Sequence, residues 1–437
     1  MLDKNTLVTE NSIISITGIF ESTNFSETQK YFKNCGYKEV DEVDDQQFHK
    51  NYWYPEFRDI FFRKTNKEVA AIILNKPINK KVVFLRRNFK KEIIGRITAE
   101  VDTVEFFLFP NGLHFFNLSL NTSGLELNDI SNITYFSRNF DSEIEGESET
   151  KWVKWVEKEI LNGIKIYSNW NEDPIPVDEY SGSKFKLYTV VDLKYTPEIN
   201  QEAIDELLYD IGCVAPLNSA NGTTTFTPSN DYYQELLQDK ISAFNNFSIL
   251  PLFDSFTTVG YNILATSDQQ KTYKTTYFRI YLFNLFIKYN LYRYNHEMRI
   301  DSVKTRSKFE SFLNNYNLSV ISYNFLPNLI FEKHRKSMRV EEELTKFEDR
   351  INKISQAIQE EQQSRMNMLI GLVGLVTSIG SVEPAIEILE SLRENFKMNL
   401  TPFYLLTSFI VIIIAIPTLA FLFPEKKKQL IRKWQKK

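Results

Sequence analysis

Cysteine, histidine and glycine are scarce in this chain. Its 437 residues include 2 Cys and 4 His, and Cys35 and Cys213 stand far apart, with no CxxC or Cys/His spacing. This excludes a disulfide framework and a zinc site, and a reducing compartment fits. Against 14 Gly and 14 Pro stand 35 Phe and 22 Tyr, a composition typical of densely packed cores and not of disordered chains.

Targeting and catalytic signals are also missing. The N-terminal segment lacks the basic start and the apolar run of about 7 to 15 residues that a signal peptide needs, so we expect the N-terminus to stay in the cytoplasm. No P-loop, GxGxxG, GxSxG or HExxH motif occurs, and we therefore expect neither an enzyme nor a cofactor. Residues 425–437 carry seven Lys/Arg and one Glu, which leaves a net charge of −10 for the rest. An acidic body argues against direct binding of nucleic acid.

One long hydrophobic run lies near the C-terminus. Residues 403–423 (FYLLTSFIVIIIAIPTLAFLF) contain no charge. A helix of this length spans about 30 Å, which is the thickness of the bilayer hydrocarbon. A buried core helix, the alternative, rarely needs such a run. We therefore predict a second transmembrane helix at 403–423, followed by a basic cytoplasmic tail at 424–437.

A shorter uncharged run, residues 366–382, is the candidate for the first transmembrane helix, at the lower limit of length. Basic residues precede this run and follow the second one, whereas the outer loop 383–402 is acidic. The acidic residues expected at its outer mouth are Glu383, Glu387 and Glu390. By the positive-inside rule, the two runs form a hairpin in the inner membrane with both termini in the cytoplasm.

Small and polar residues recur in the first run at spacings of 4, 3, 4 and 3. They are Asn367, Gly371, Gly374, Ser378 and Ser381. This spacing places them on one helical face. Such a face either lines a water-filled pore in an oligomer or allows close, dry packing of helices.

Upstream of this run, apolar residues repeat at heptad spacing. They are Val340, Leu344, Phe347, Ile351, Ile354 and Ile358. The pattern predicts one continuous helix over about 332–382, whose part at 331–365 forms a stalk. These apolar residues form a seam along one side of the helix. Because the seam continues into a membrane helix, it favours contact between neighbouring subunits. The alternative is that the seam packs on the chain's own domain.

The remaining chain predicts an α+β cytoplasmic domain with two subdomains, at 1–145 and 146–330. In the first, residues 104–109 and 113–120 flank Pro110-Asn111-Gly112, a strong hairpin signal. An acidic stretch with few apolar residues, 141–150, suggests the linker between the subdomains.

Residues 276–295 are apolar, but three basic side chains make membrane insertion expensive, so we predict a helix of the soluble domain. Five residues fall on one face of this helix: Tyr281, Asn284, Lys288, Tyr292 and Asn295. Such a face suits stacking and hydrogen bonding to a nucleotide-like ligand, and polar packing between helices is the commoner alternative. The turn-rich loop 216–230 is a second candidate for ligand contact, against the alternative of an ordinary surface loop.

The order of these parts resembles the CorA family of divalent-cation channels: an α/β domain, a very long helix that becomes the first span, a short acidic outer loop, a second span and a Lys/Arg-rich tail. The resemblance covers about 331–437. It implies a homopentamer whose first spans line the pore, with the stripe from Asn367 to Ser381 facing the ions. The family's Gly-Met-Asn motif is absent, and Gly380-Ser381-Val382 stands in its place. Because the Asn ring of that motif captures hydrated magnesium, the resemblance does not extend to selective magnesium transport.

Divergent CorA-like proteins act as membrane effectors of antiviral systems, including type III CRISPR loci, and this chain looks like that branch. The resemblance implies an oligomeric channel or membrane-disrupting effector that is gated by a nucleotide second messenger such as SAM-AMP. Two alternatives remain. One is a divalent-cation transporter of altered selectivity, in which the acidic outer mouth concentrates cations, and the other is a membrane scaffold that does not conduct.

Overall fold

Most of the apolar runs in the first 261 residues form strands. The computed structural model describes residues 7–40, 46–62, 69–146, 150–168, 182–197, 199–222 and 224–396. The strands are β1 (Thr9–Glu21), β2 (Lys38–Glu39), β3 (Ile72–Arg87), β4 (Ile93–Leu108), β5 (Leu113–Leu120), β6 (Glu143–Ile144), β7 (Thr150–Lys151), β8 (Lys186–Leu193), β9 (Ile241–Phe244), β10 (Phe247–Pro251) and β11 (Ser255–Tyr261). Within the described residues they form one sheet in the order β7-β6-β3-β4-β5-β1-β8-β11-β10-β9, with β2 beside β3.

Helices lie between the strands and dominate after residue 262. They are α1 (Phe25–Asn34), α2 (Gln46–Tyr52), α3 (Pro55–Phe61), α4 (Leu127–Arg138), α5 (Trp152–Glu159), α6 (Gln201–Gly212), α7 (Asn230–Gln238), α8 (Ser267–Lys271), α9 (Phe278–Ile300), α10 (Ser302–Tyr316), α11 (Phe325–Ser337) and α12 (Val340–Phe396). A π-helical segment, Thr272–Tyr277, joins α8 to α9. The chain divides into two compact units, Met1–Phe347 and Glu348–Lys437.

Strand β1 lies at the centre of the first unit. It pairs antiparallel with β5 on one side and with β8 on the other, so that Ser15 faces Ser119 and Thr17 faces Lys186. The prediction of separate subdomains at 1–145 and 146–330 is therefore wrong, because the sheet runs through both. The α+β class predicted for this part is confirmed. The local signals located the strands, but the pairing of β1 with β8 is a long-range contact that such signals do not contain.

Aromatic side chains from the two faces of the sheet enter two different layers. Phe106 stacks on Phe32 of α1 at a ring distance of 4.0 Å. Its chain neighbour Phe107 faces the opposite way and lies 5.9 Å from Phe278 of α9. Successive side chains of a strand point to opposite faces, which accounts for this division. The unit is thus a three-layer structure with the sheet in the middle.

Helix α9 forms the core of one outer layer. Every residue from Phe278 to Leu291 is buried, including Arg279 and Lys288. The helix predicted at 276–295 is confirmed as part of the compact unit. It has no clear amphipathic stripe because the sheet covers one side while α10 and α11 cover others.

The helix predicted as continuous over 332–382 is broken near its start. Helix α11 ends at Ser337, Arg339 has a φ of 52°, and α12 begins at Val340. The first seam residues are buried within the first unit, where the Phe347 ring lies 4.3 Å from that of Phe309. The alternative of packing on the chain's own domain therefore holds for the start of the seam.

Helix α12 continues to Phe396 and includes Pro384. The outer loop predicted at 383–402 is therefore wrong as far as residue 396, because a run of good helix formers after the proline sustains the helix. No helix in the described part of the chain combines the length and apolarity that a membrane crossing requires. The run 403–423 and the tail 424–437 lie outside the described residues.

Candidate functional site

A large cleft in the first unit opens where β1 runs into α1. Its volume is 1210 Å³, and it is lined by Ile164 and by four longer segments: the turn from Glu21 into α1, the β4–β5 turn, the second half of α9, and α10. The polar groups in its lining include three basic side chains, three carboxylates, and several hydroxyl and amide groups. A cleft of this volume and mixed charge is large enough to hold a polar organic ligand of nucleotide size.

The β4–β5 turn forms one wall of the cleft. Gly112 has a φ of +84°, and a Cβ atom there would lie 2.5 Å from the carbonyl oxygen of Ser22. The Ser22 N–H donates to the Gly112 carbonyl oxygen at 3.0 Å, which closes β1 onto the turn. Only glycine combines this backbone conformation with this close approach. The hairpin predicted from Pro110-Asn111-Gly112 is confirmed. Its turn forms this wall of the cleft.

Helix α9 holds this turn through two side chains. Asn111 Nδ2 donates to Asn290 Oδ1 at 2.8 Å, and Arg293 Nη1 donates to the Asn111 carbonyl oxygen at 3.0 Å. The side chain of Arg293 is 12% exposed, and its Nε lies 3.7 Å from Glu297 Oε1. That Nε has no hydrogen-bond acceptor among the described residues. The guanidinium therefore retains donor capacity at the cleft wall.

Helix α10 supplies two further cations. Lys308 Nζ pairs with Glu297 Oε2 at 2.6 Å. Lys304 lines the cleft, is exposed, and forms no ion pair with any described residue. With Arg293, these ammonium groups provide donors for an anionic group such as a phosphate. The carboxylates of Glu21, Glu27 and Glu297 in the same lining suit a ligand that also carries a cationic or hydrogen-bond-donating part.

Ser22 and His114 at the base of this wall have the spacing of a nucleophile and its base. Ser22 Oγ lies 2.6 Å from His114 Nε2, and the Phe109 N–H donates to His114 Nδ1 at 3.2 Å. Because Nδ1 accepts, the proton of the neutral imidazole is on Nε2, which donates to the serine. Burial and the Arg293 charge lower the pKa of His114 to about 3. The imidazole therefore positions Ser22 and cannot accept its proton.

The face predicted to bind a ligand is located elsewhere. Tyr281, Asn284 and Lys288 are buried, and the alternative of polar packing between helices describes their contacts. Asn284 Nδ2 donates to the Phe331 carbonyl oxygen at 3.2 Å, and the Tyr281 ring stacks on His334 of α11 at 5.3 Å.

Lys288 contacts residues at the junction of α11 and α12. Lys288 Nζ donates to the Met338 carbonyl oxygen at 2.7 Å and lies 4.7 Å from the centre of the Tyr292 ring. Tyr292 and Asn295 are half-buried. Neither residue lines the cleft.

The loop 216–230 uses many of its polar groups internally. Asp210 accepts from the backbone N–H groups of Asn218 and Ala220, both at 2.8 Å. Ser219 Oγ lies 2.7 Å from Thr224 Oγ1. These bonds support the alternative of a structured surface loop. Residue 223 lies outside the described residues.

The other predicted residues belong to the second unit. Asn367 is exposed, Gly371 is buried, and nothing lies within 4 Å of the position that a Cβ of Gly374 would take. Glu387 and Glu390 are exposed on α12. The side chains of Ser378, Ser381 and Glu383 lie outside the described part, so the pore-lining stripe stays a prediction.

Sequence reasoning missed the cleft because its lining comes from four segments far apart in the chain. In the sequence, Arg293 served only as one of the basic residues that argue against membrane insertion. Lys304 belongs to no motif or periodic pattern that indicates a binding site. The turn at Pro110-Asn111-Gly112 was the one available signal. Among the described residues, no three His, Cys, Asp or Glu side chains are placed to hold a metal ion. Comparisons of the chain with protein-family models, curated proteins and solved structures give no match.

Proposed function

We propose that the protein is an oligomeric, CorA-like membrane effector whose first unit binds a nucleotide second messenger, such as SAM-AMP, in the cleft between α1 and α10. Binding there opens a channel, or disrupts the membrane, in antiviral defence of the type III CRISPR kind. In this proposal α12 connects the sensing unit with the membrane part.

The observation that carries the proposal is a run of exposed apolar side chains on α12. They are Met366, Met368, Leu369, Ile370, Leu372 and Val373, with exposed fractions between 48% and 62%. Such a run on a water-facing helix is unfavourable, because burial of apolar area is the main stabilising term in water. A contiguous apolar surface of this kind is typical of contact with lipid or with other subunits. The uncharged run 403–423 in the sequence supports lipid.

The start of α12 supports a coupling role for this helix. Val340, Leu344 and Phe347 are buried in the first unit, and the same helix continues through residues 366–382. A ligand shifts such an assembly only as far as it binds one state more tightly than the other. Tyr294 lines the cleft, and its ring lies 5.8 Å from that of Phe309 and 6.5 Å from that of Phe347. A change at the cleft therefore has a short packed route to α12.

Dye release from liposomes tests the proposal. The full chain is reconstituted into vesicles that hold a self-quenched dye and a magnesium indicator, and SAM-AMP or ATP is added. We expect dye release with SAM-AMP and not with ATP. Steady magnesium entry without any nucleotide would support the transporter alternative, and an inert vesicle under all conditions would support the scaffold. Either result would overturn the effector proposal.

Two variants test whether dye release depends on ligand binding in the cleft. Lys304→Ala removes an exposed cation that pairs with no carboxylate in the described part of the chain, so folding should not change. We expect the SAM-AMP concentration for half-maximal release to rise about tenfold, the equivalent of one lost contact to a phosphate. Arg306→Ala is the matched control, because Arg306 lies on the same helix but outside the cleft and pairs with Glu310. Equal effects of both variants would exclude the cleft as the site.

A further inference from the structure

The tip of the β3–β4 hairpin presents an aromatic ring to solvent. Phe89 is fully exposed, at 108%, and Ile94 and Ile93 beside it are 60% and 43% exposed. Three large apolar side chains within six residues are thus exposed at this narrow tip. Single exposed apolar residues are ordinary, whereas a group at one protruding tip indicates contact with a partner.

Hydrogen bonds fix the conformation of this tip. Asn88 Oδ1 accepts from the N–H groups of Lys90 and Glu92, both at 2.9 Å, and Asn88 Nδ2 donates to Glu92 Oε2 at 2.6 Å. Arg87 Nη1 donates to the Lys91 carbonyl oxygen at 2.6 Å. Lys91 has a φ of 63°, which turns the chain back into β4. The loop is thus pre-organised while Phe89 has its ring in water, so the exposure is a property of a defined loop.

The base of the hairpin is anchored in the core. Phe84 of β3 is 1% exposed and lies 5.3 Å from the Trp152 ring, and it pairs across the sheet with Ile144. The exposed tip therefore extends from a rigid support. Rigid presentation of an apolar group lowers the conformational entropy lost on binding.

The same tip is strongly basic. The basic residues are Arg86, Arg87, Lys90, Lys91 and Arg96. Arg87 pairs with Glu143, and Arg96 pairs with Glu145 at 3.1 Å. Arg86, Lys90 and Lys91 form no ion pair with any described residue. This local positive charge contrasts with the acidic body of the chain, whose overall net charge is −4.

We infer that the β3–β4 tip docks onto an anionic lipid surface, with Phe89, Ile93 and Ile94 entering the interface and Arg86, Lys90 and Lys91 contacting the headgroups. Aromatic and aliphatic residues beside cations are the combination that binds such interfaces. The tip is too small for a stable protein interface of about 800 Å² per partner. Three juxtamembrane cations give a preference for anionic over neutral lipid on the order of a hundredfold. The inference rests on the proposed function in one respect: the membrane anchoring proposed there brings a bilayer close to the tip.

Brominated-lipid quenching of a tryptophan at the tip tests the inference. Full-length Phe89→Trp is reconstituted with brominated lipid into vesicles with or without 30% phosphatidylserine. Wild type provides the background of the native tryptophans. We expect the added emission to be quenched in the anionic vesicles, and quenching to weaken in neutral vesicles and in high salt, because salt screens the cations. Phe226→Trp is the matched control, since Phe226 is 53% exposed on another loop, and we expect its emission to be unaffected.

The charge requirement is tested in the Phe89→Trp background. Arg86→Ala, Lys90→Ala and Lys91→Asn are combined, with Asn chosen because it tolerates the positive φ. Quenching should fall to the level of neutral vesicles. Unquenched emission in protein that floats with anionic vesicles would overturn the inference, as would equal quenching in neutral vesicles or a response to added RNA alone. Protein that does not float with vesicles would instead count against the proposed membrane anchoring.

Discussion

Lys288 Nζ lies 3.0 Å from Glu343 Oε1 and also donates to the carbonyl oxygen of Met338. Lys288 is in the buried part of α9, whereas Met338 and Glu343 flank the start of α12. One ammonium group therefore satisfies a carbonyl at the end of α11 and a carboxylate in the first turn of α12. Burial lowers the pKa of Lys288, and the Glu343 carboxylate opposes that shift. A buried ammonium group and a half-buried carboxylate thus link α9 to the start of α12.

Removal of the Glu343 carboxylate should destabilise the junction between α11 and α12. Glu343→Gln leaves the Lys288 ammonium buried with a weaker partner, and we expect the free energy of unfolding to fall by about 1–3 kcal/mol. Urea unfolding followed by tryptophan fluorescence measures the change. Glu310→Gln removes an exposed carboxylate from its pair with Arg306 and should cost about 0.5 kcal/mol or less. An equal loss in both variants would show that Lys288 does not depend on Glu343.

Two buried histidines predict acid sensitivity. Burial lowers the pKa of His334 to about 3, and burial together with the Arg293 charge does the same for His114. In the unfolded chain both imidazoles bind a proton near pH 6.5, while in the folded chain they stay neutral. Their stabilising effect is therefore complete above pH 6.5 and is lost as the pH falls towards 3, by up to about 1.4 kcal/mol per pH unit for each histidine.

Urea unfolding at pH 7, 5.5 and 4 measures this slope. His114→Gln should make the slope shallower, because one of the two titrating groups is gone, although the variant is less stable at pH 7. A slope unchanged in His114→Gln would mean that this imidazole is protonated in the folded protein.

The sequence predicted individual helices and strands better than it predicted how they pack against one another. The hairpin β4–β5 and the helix at 276–295 follow from short patterns, and both are confirmed. Strand β8 is buried on both faces, because helices cover both sides of the sheet. The spacing of apolar residues indicates which side chains are buried, but it does not indicate which helix or strand covers them.

The candidate site was largely beyond sequence reasoning. The polar face on α9 was visible because its residues are regularly spaced, yet α11 and the start of α12 cover it. The cleft was invisible because Ser22, Gly112, Arg293 and Lys304 meet only after β1, the β4–β5 turn, α9 and α10 have packed.

Buried tyrosines predict sensitivity to alkali. Tyr188 is fully buried, and burial raises the pKa of its hydroxyl well above 10. The unfolded chain loses this proton near pH 10 while the folded chain keeps it. Stability is therefore complete below pH 10 and falls as the pH rises further, by up to about 1.4 kcal/mol per pH unit.

Tyr188→Phe separates this titration from the hydrogen bond that the hydroxyl makes. The hydroxyl donates to the Tyr273 carbonyl oxygen at 2.8 Å, so the variant should lose about 1 kcal/mol at neutral pH. The difference from wild type should shrink as the pH rises from 10 to 11. Parallel curves for Tyr188→Phe would contradict the assignment.

The cleft wall makes a final prediction through two glycines that share a backbone conformation but not surroundings. Gly112 and Gly124 have φ values of +84° and +76°, so alanine at either position should cost about 1 kcal/mol from backbone strain alone. Nothing lies within 4 Å of a Cβ at Gly124, whereas a Cβ at Gly112 would lie 2.5 Å from the carbonyl oxygen of Ser22. Gly112→Ala should therefore cost about 1–3 kcal/mol more than Gly124→Ala, because β1 and the turn must move apart. Since this movement widens the cleft, Gly112→Ala should also raise the SAM-AMP concentration needed for dye release, while Gly124→Ala should not. Urea unfolding and dye release of the two variants side by side measure both effects, and equal stabilities would show that the Ser22 contact relaxes without cost.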